Sequence, residues 1–138
     1  MPATKIIIDT NIVSYVMRGS PEARVYASHL KGKLIAISFV TVGELYYGAE
    51  RGNWGQTKRL QLETALKNYV VIPYDHEIAK QYGKVMVERQ RLGRSITFND
   101  AWIAACAIRH RTPLVTHNVK DFELISGLQM ITEKIAVE

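Results

Sequence analysis

Short apolar runs, spaced so that one or two helices fit between each and the next, restrict this chain to few architectures. "KIII" at 5–8, "LIAISFV" at 34–40, "YVVIPY" at 69–74 and "PLVTH" at 113–117 read as strands, with "GLQMIT" near 127–132 suggesting a fifth. The second run is apolar at nearly every residue, as expected of a strand covered on both faces. A short helix is predicted at about 12–17, and Ser20-Pro21-Glu22 starts another that ends near Gly32. Thr41 opens a third, and a polar-faced helix spans about 57–68. Asp75 caps a long helix to about Leu92, with Ile78, Tyr82, Val85 and Met86 at helical spacing. Thr97 or Asn99 starts the last, "DAWIAACAIRHR". Strands alternating with helices imply βαβ units, an α/β class and a mostly parallel sheet. In such sheets the working site lies outside the carboxyl ends of the strands.

Length and charge narrow the class further. At 138 residues the chain fits one domain, 1–138, with a single sizeable core. The longest unbroken apolar run, "AWIAACAI" at 101–108, is far short of a membrane span. Three isoleucines cut off by Asp9 do not form a signal peptide, and Cys106 is alone, excluding an internal disulfide and a multi-cysteine zinc site. A cytoplasmic location is expected. The net charge of +5 favours a polyanionic partner only weakly. Basic residues crowd at Lys84, Arg89, Arg91 and Arg94, at Lys58 and Arg59, and at Arg109 to Arg111 around His110. They read equally as solvated helix faces, unless they surround a cleft that takes phosphate.

Four carboxylates follow strand ends or head helices. Asp9 ends a buried strand, where an isolated charge is costly and needs a partner. Glu44 lies in "TVGE" and Asp100 in "TFND", both Thr-x-x-acid patterns that also fit a helix capping box with Thr41 or Thr97. Asp100 further heads a helical stripe with Ile103, Ala104, Ala107 and Ile108 that should face the sheet. Asp121 in "NVKDFELI" could be a simple turn and helix start. A doubly wound sheet would carry all four into one crevice, where mutual repulsion requires a counter-charge. Oxygen ligands without paired cysteines or histidines suit Mg²⁺ or Mn²⁺. Such a centre beside basic side chains suits phosphodiester hydrolysis. Spacing does not assign which carboxylate deprotonates the water.

Taken in order, "IIIDTNIVSYVM", "ISFVTVGELYYGAERG", "FNDAWIAACAIRHRTPLVTHNVKDFELI" and the final "GLQMI" resemble the PIN-domain ribonucleases, more narrowly the VapC-type toxins of toxin–antitoxin pairs. The resemblance spans almost the full length. It implies a three-layer sandwich whose central sheet of four to five strands is flanked by helices. It further implies that Asp9, Glu44, Asp100 and Asp121 form the acidic metal site, catalytic and metal-holding at once, with Thr10, Asn11 and Thr116 as supporting polar residues. The last acidic position varies in the family, and Asn118 also falls within reach of that role. The implied activity is that of a Mg²⁺-dependent endoribonuclease toxin, a homodimer neutralised by a VapB-type antitoxin whose C-terminal segment crosses the cleft. DNA would be contacted through the antitoxin, and no membrane is involved. The insertion "NWGQTKRLQLETALKN" at 53–68 resembles the helical pair used for dimer and antitoxin contacts, although Leu60, Leu62, Leu66 and Tyr69 fit ordinary core as well.

Other classes fit less well. A haloacid-dehalogenase-type phosphatase needs a second acid two residues after the nucleophile, where this chain has Asn11. A receiver domain needs an acidic pair before its phosphorylated aspartate plus a late lysine, and that spacing is missing here. His29, His76, His110 and His117 are too scattered for a histidine-based ribonuclease. The remaining alternative is a catalytically silent PIN fold that binds RNA or acts as a scaffold, against which four intact acids argue. Which RNA is cut, and whether one or two metals act, is not encoded in the spacing.

Overall fold

A computed structural model describes residues 4–133. The element order is β1 (Lys5–Ile8), α1 (Thr10–Arg18), α2 (Pro21–Leu30), β2 (Leu34–Ser38), α3 (Phe39–Arg51), α4 (Gln56–Leu66), β3 (Val70–Ile72), α5 (His76–Arg91), α6 (Phe98–Arg109), β4 (Leu114–Val115), α7 (Val119–Phe122) and β5 (Met130–Ile131). The five strands form one sheet in the order β3-β2-β1-β4-β5, parallel at every pairing. Ile7 lies opposite Ala36 on one side and Leu114 on the other. From β1 the chain winds outward to β2 and β3, then returns to place β4 and β5 on the other side. The order therefore reverses between β1 and β4, the position at which open α/β sheets leave a crevice.

Alternation along β1 divides the core into two layers. Ile6 and Ile8 pack with Ile12, Val13, Tyr26, Leu45 and Leu62, from the helices α1 to α4. Ile7 faces the opposite way, into Ile78, Val85, Ile103, Leu114 and Phe122, from α5 to α7 and β4. A strand buried on both faces needs apolar side chains at every position, which is why the run of three isoleucines reads as continuous. Helix α6 is buried almost all round, at Ala101 and at every residue from Ile103 to Ala107. Its small residues permit that depth.

Several boundaries differ from the sequence expectation, each for a local reason. The second strand stops at Ser38 rather than residue 40, because the Ser38 hydroxyl accepts from the Val40 amide at 3.1 Å and caps α3 there. The first helix begins at Thr10, with Asp9 as its cap, rather than at 12. In the 53–68 insertion Leu62 is fully buried and Leu66 and Tyr69 pack against the core, so only Leu60 faces solvent.

The basic clusters are mostly tied up. Arg59 pairs with Glu50, Arg94 with Glu123 and Arg109 with Asp75. Lys58 lies 4.1 Å over the Trp54 ring. Arg89 is buried and donates to the carbonyls of Arg94, Ser95, Lys120, Asp121 and Glu123. It is a structural pin joining α5 to the segment around α7, not a phosphate contact. Lys84 and Arg91 line a shallow groove along α5 with Lys80. None of these residues lines the crevice beyond β1.

Arg89→Ala would strand several carbonyls, so urea unfolding is expected to show a loss of at least about 2 kcal/mol. Arg89→Lys is expected to recover less than half of it, since an ammonium lacks the planar fork that reaches several acceptors. Unchanged unfolding in the alanine variant would remove this role.

Candidate active site

The crevice at the sheet reversal is small, about 80 Å³, and is lined by Asp9, Thr10, Asn11, Glu44, Asp100, Ile103, Asn118 and Phe122. Three of the four expected carboxylates and three of the four supporting polar residues therefore share it. Thr116 stands behind its wall, bonded to Asp9, and the remaining acid, Asp121, is not part of the lining.

Asp9 is delivered by β1 and buried to 3% exposure. One carboxylate oxygen accepts from the Ile12 amide at 3.0 Å, the N-cap bond of α1. The other accepts from the Thr116 hydroxyl at 2.5 Å, directly across the reversal. Thr116 in turn accepts from the Asn118 amide at 3.1 Å, which folds the chain after β4 around the acid. Burial pushes the Asp9 carboxyl above its usual range; the Thr116 and Ile12 bonds offset part of the rise, and the charges of Glu44 and Asp121 add to it.

Glu44 is not a capping residue. The helix starts at Phe39, capped by Ser38, so Glu44 falls a turn inside, with its carboxylate aimed at the crevice. The Thr10 hydroxyl donates to its Oε1 at 2.6 Å and also lies 3.0 Å from Thr41 Oγ1. Asn99 Nδ2 donates to Oε2 at 3.2 Å. Thr10 thus supports Glu44 rather than its neighbour Asp9. Asn99 had no site signal in the sequence beyond a helix-start composition, and it reaches Glu44 only because α6 lies against α3.

Asp100 keeps part of the capping pattern: the Thr97 hydroxyl accepts from its amide at 3.1 Å. Its side chain is half-buried at the crevice edge. Burial, opposed by a Thr97 bond and reinforced by the charges of Asp121, Glu44 and Asp9, pushes its carboxyl up to about 6. Asp121 is exposed in α7, outside the lining, yet its charge is felt at both Asp9 and Asp100. Asn118 lines the crevice.

A second network supports Thr116 from behind. Tyr26 is fully buried, its hydroxyl 2.7 Å from His117 Nδ1 and 3.3 Å from the Thr116 carbonyl, and it accepts from the Glu133 amide at 3.0 Å. Neither Tyr26 nor His117 stood out in the sequence, because the bond spans ninety-one positions of chain.

The donor set is all oxygen, and no ion pair among the described residues involves Asp9, Glu44, Asp100 or Asp121. A raised carboxyl surrounded by like charge fits a hard divalent cation. Among the described residues, however, no three acids, histidines or cysteines stand close enough to hold one ion together. The arrangement suits an ion that keeps several waters and takes one or two carboxylates directly, as Mg²⁺ commonly does.

Similar proteins carry this frame. Residues 6–128 match the PIN domain family. The chain is 35% identical over 126 residues to Ribonuclease VapC1 of Haemophilus influenzae, covering 89% of this chain and 93% of that protein. It is 30% identical over 125 residues to the tRNA(fMet)-specific endonuclease VapC of Shigella flexneri, covering 91% and 95%. Among solved structures it is similar to VapBC2 of Rickettsia felis, bound to a DNA fragment from its promoter, with 28% identity, a TM-score of 0.84, and coverage of 95% of this chain and 100% of that one.

The Asp100 environment predicts a pH-dependent stability. Its folded carboxyl titrates near 6 against an ordinary 3.8, so the folded state holds the proton more tightly and loses stability as pH rises from about 4 to 6. In EDTA at pH 7, Asp100→Asn is expected to be more stable than wild type by about 1 kcal/mol, allowing for its partial exposure. The gain should vanish near pH 4; thermal melts at both pH values check this, and a pH-independent difference would contradict it.

Proposed function

The chain belongs to the PIN-domain family, in its VapC-type branch, and on that premise we propose that it is a divalent-metal-dependent endoribonuclease, the toxin of a toxin–antitoxin pair. The single observation that carries this reading is the buried Asp9, held at the sheet reversal and facing further acids with no cation of the described residues among them. In this reading residues 1–138 act as one PIN domain in the cytoplasm.

Asp9, Glu44 and Asp100 would hold Mg²⁺, or Mn²⁺, directly or through its waters, and Asp121 would add charge from outside the lining. When bound, the ion supplies an activated water and neutralises charge on the phosphoryl oxygens. The chain's own contribution is positional. Thr116 and the Ile12 amide fix both oxygens of Asp9, and Thr10 and Asn99 fix both oxygens of Glu44. Neither carboxylate then needs to reorder when an RNA backbone enters, which is the economy of a preorganised site. Asn11 and Asn118 add neutral donors and acceptors to the walls.

The partners follow from the same relatives. A VapB-type antitoxin is proposed to lie across the crevice, offering a cation to the acid cluster, with DNA contacted through that antitoxin. A homodimer is proposed, and the burial of Leu62, Leu66 and Tyr69 leaves Leu60 as the apolar residue of the insertion free for such a contact. The substrate is RNA, and transfer RNA heads the panel to be tried because one similar protein carries that specificity in its name. Among the described residues no helix is long and apolar enough to cross a membrane.

Asp9→Asn should lower RNA cleavage by at least about a hundredfold while the fold and antitoxin binding persist. Excess EDTA should stop the wild type, and added Mg²⁺ or Mn²⁺ should restore it. Cleavage that survives both treatments would refute the metal-dependent reading. Antitoxin and RNA binding without any cleavage would instead favour the silent PIN module.

A further inference from the structure

Phe98 and Tyr47 are the two most exposed large apolar side chains among the described residues, at 68% and 64%. A solitary exposed aromatic is ordinary; the position of these two is not. Phe98 is the first residue of α6, beside Asn99, which donates to Glu44, and two before Asp100. Tyr47 stands three residues beyond Glu44 on α3, and residues three apart share a helix face. The two residues thus stand within one helical turn of Glu44 and Asn99, one on each of the two helices that the Asn99–Glu44 bond ties together, outside the lining of the acid crevice itself.

Neither ring serves the fold in an evident way. The Thr97 hydroxyl caps α6 without Phe98, and other aromatics nearby are used internally: Phe39, Tyr74 and Trp102 meet edge to face, and Tyr82 stacks on Trp102. Electrostatics point to an occupant. A nucleotide chain seated at the crevice must leave over these walls, and none of the clustered arginines or lysines lines the crevice to pair with the flanking phosphates. A neutral π face, by contrast, is compatible with an acidic surround.

We propose that Phe98 and Tyr47 form a stacking platform for unpaired RNA bases next to the scissile phosphate. The proposal rests on the ribonuclease reading and deepens it, since stacking selects single-stranded segments while tolerating any base. It predicts a preference for loops over duplex that comes from this wall and not from the acids.

The test uses the full chain. Phe98→Ala and Tyr47→Ala should each leave the melting temperature unchanged and lower kcat/KM on a single-stranded RNA by about tenfold, the scale of one lost base stack. Phe98→Trp should restore it. In parallel, a single-stranded RNA carrying 2-aminopurine should lose fluorescence on binding the cleavage-deficient Asp9→Asn protein in Mg²⁺, and lose much less when Phe98→Ala is added. Wild-type cleavage with unchanged kcat/KM and undiminished quenching in both alanine variants overturns the platform and leaves the ribonuclease standing. Weakened antitoxin binding with unaltered RNA cleavage also overturns it, assigning the wall to the protein partner. A wild type that neither binds nor cuts RNA removes both readings together.

Discussion

A buried carboxylate at the reversal of a parallel sheet is the constraint on which the rest of this structure depends. Asp9 ends the central strand, and the chain departs to one side for β2 and β3 and to the other for β4 and β5. Water is largely excluded there, so the charge must be met by fixed groups. One amide and one hydroxyl meet it, the amide from the helix it caps and the hydroxyl from across the sheet. The two bonds offset only part of the burial, and neighbouring acids raise the carboxyl further. An environment this unfavourable to charge persists in a folded protein when something else completes it.

The positive residues show the same logic inverted. Although the chain carries +5 overall, Arg59, Arg89, Arg94 and Arg109 are spent on structure rather than on the crevice. Arg89 gathers carbonyls from within α7 and from the residue that ends it, and thereby holds the segment that carries Asp121. Arg94, Arg59 and Arg109 are paired with acids elsewhere. Net charge was therefore a poor guide to the candidate site: the crevice at the sheet reversal is acidic, and under the proposed function it takes a polyanion only through a cation.

Much of the fold was legible because the signals were local. Apolar runs marked four of the five strands and suggested the fifth, helical spacing marked the long helices, and the order of elements implied the parallel sheet now found. The misreadings share one cause, which is competition between neighbouring residues for the same role. "TVGE" fits a capping box as well as a site glutamate, and Ser38 three residues upstream of Thr41 took the cap instead, releasing Glu44. The insertion's leucines fit an interface or a core equally, and three-dimensional packing put Leu62 and Leu66 inward. Arg89 looked like its exposed neighbours because only its helical phase relative to α7 distinguishes it.

By itself the sequence determined which residues could do chemistry and in what order the elements run. Periodicity, capping and strand-end acids are short-range properties, written in stretches of a few residues. Tertiary structure decided who holds whom. Thr10 serves Glu44 rather than Asp9, Asn99 joins the site from a helix fifty-five positions away, and Tyr26 reaches His117 across ninety-one. Such bonds depend on how two helices or two strand ends come to lie side by side, and that is set by the burial of many apolar side chains at once, which no local stretch contains.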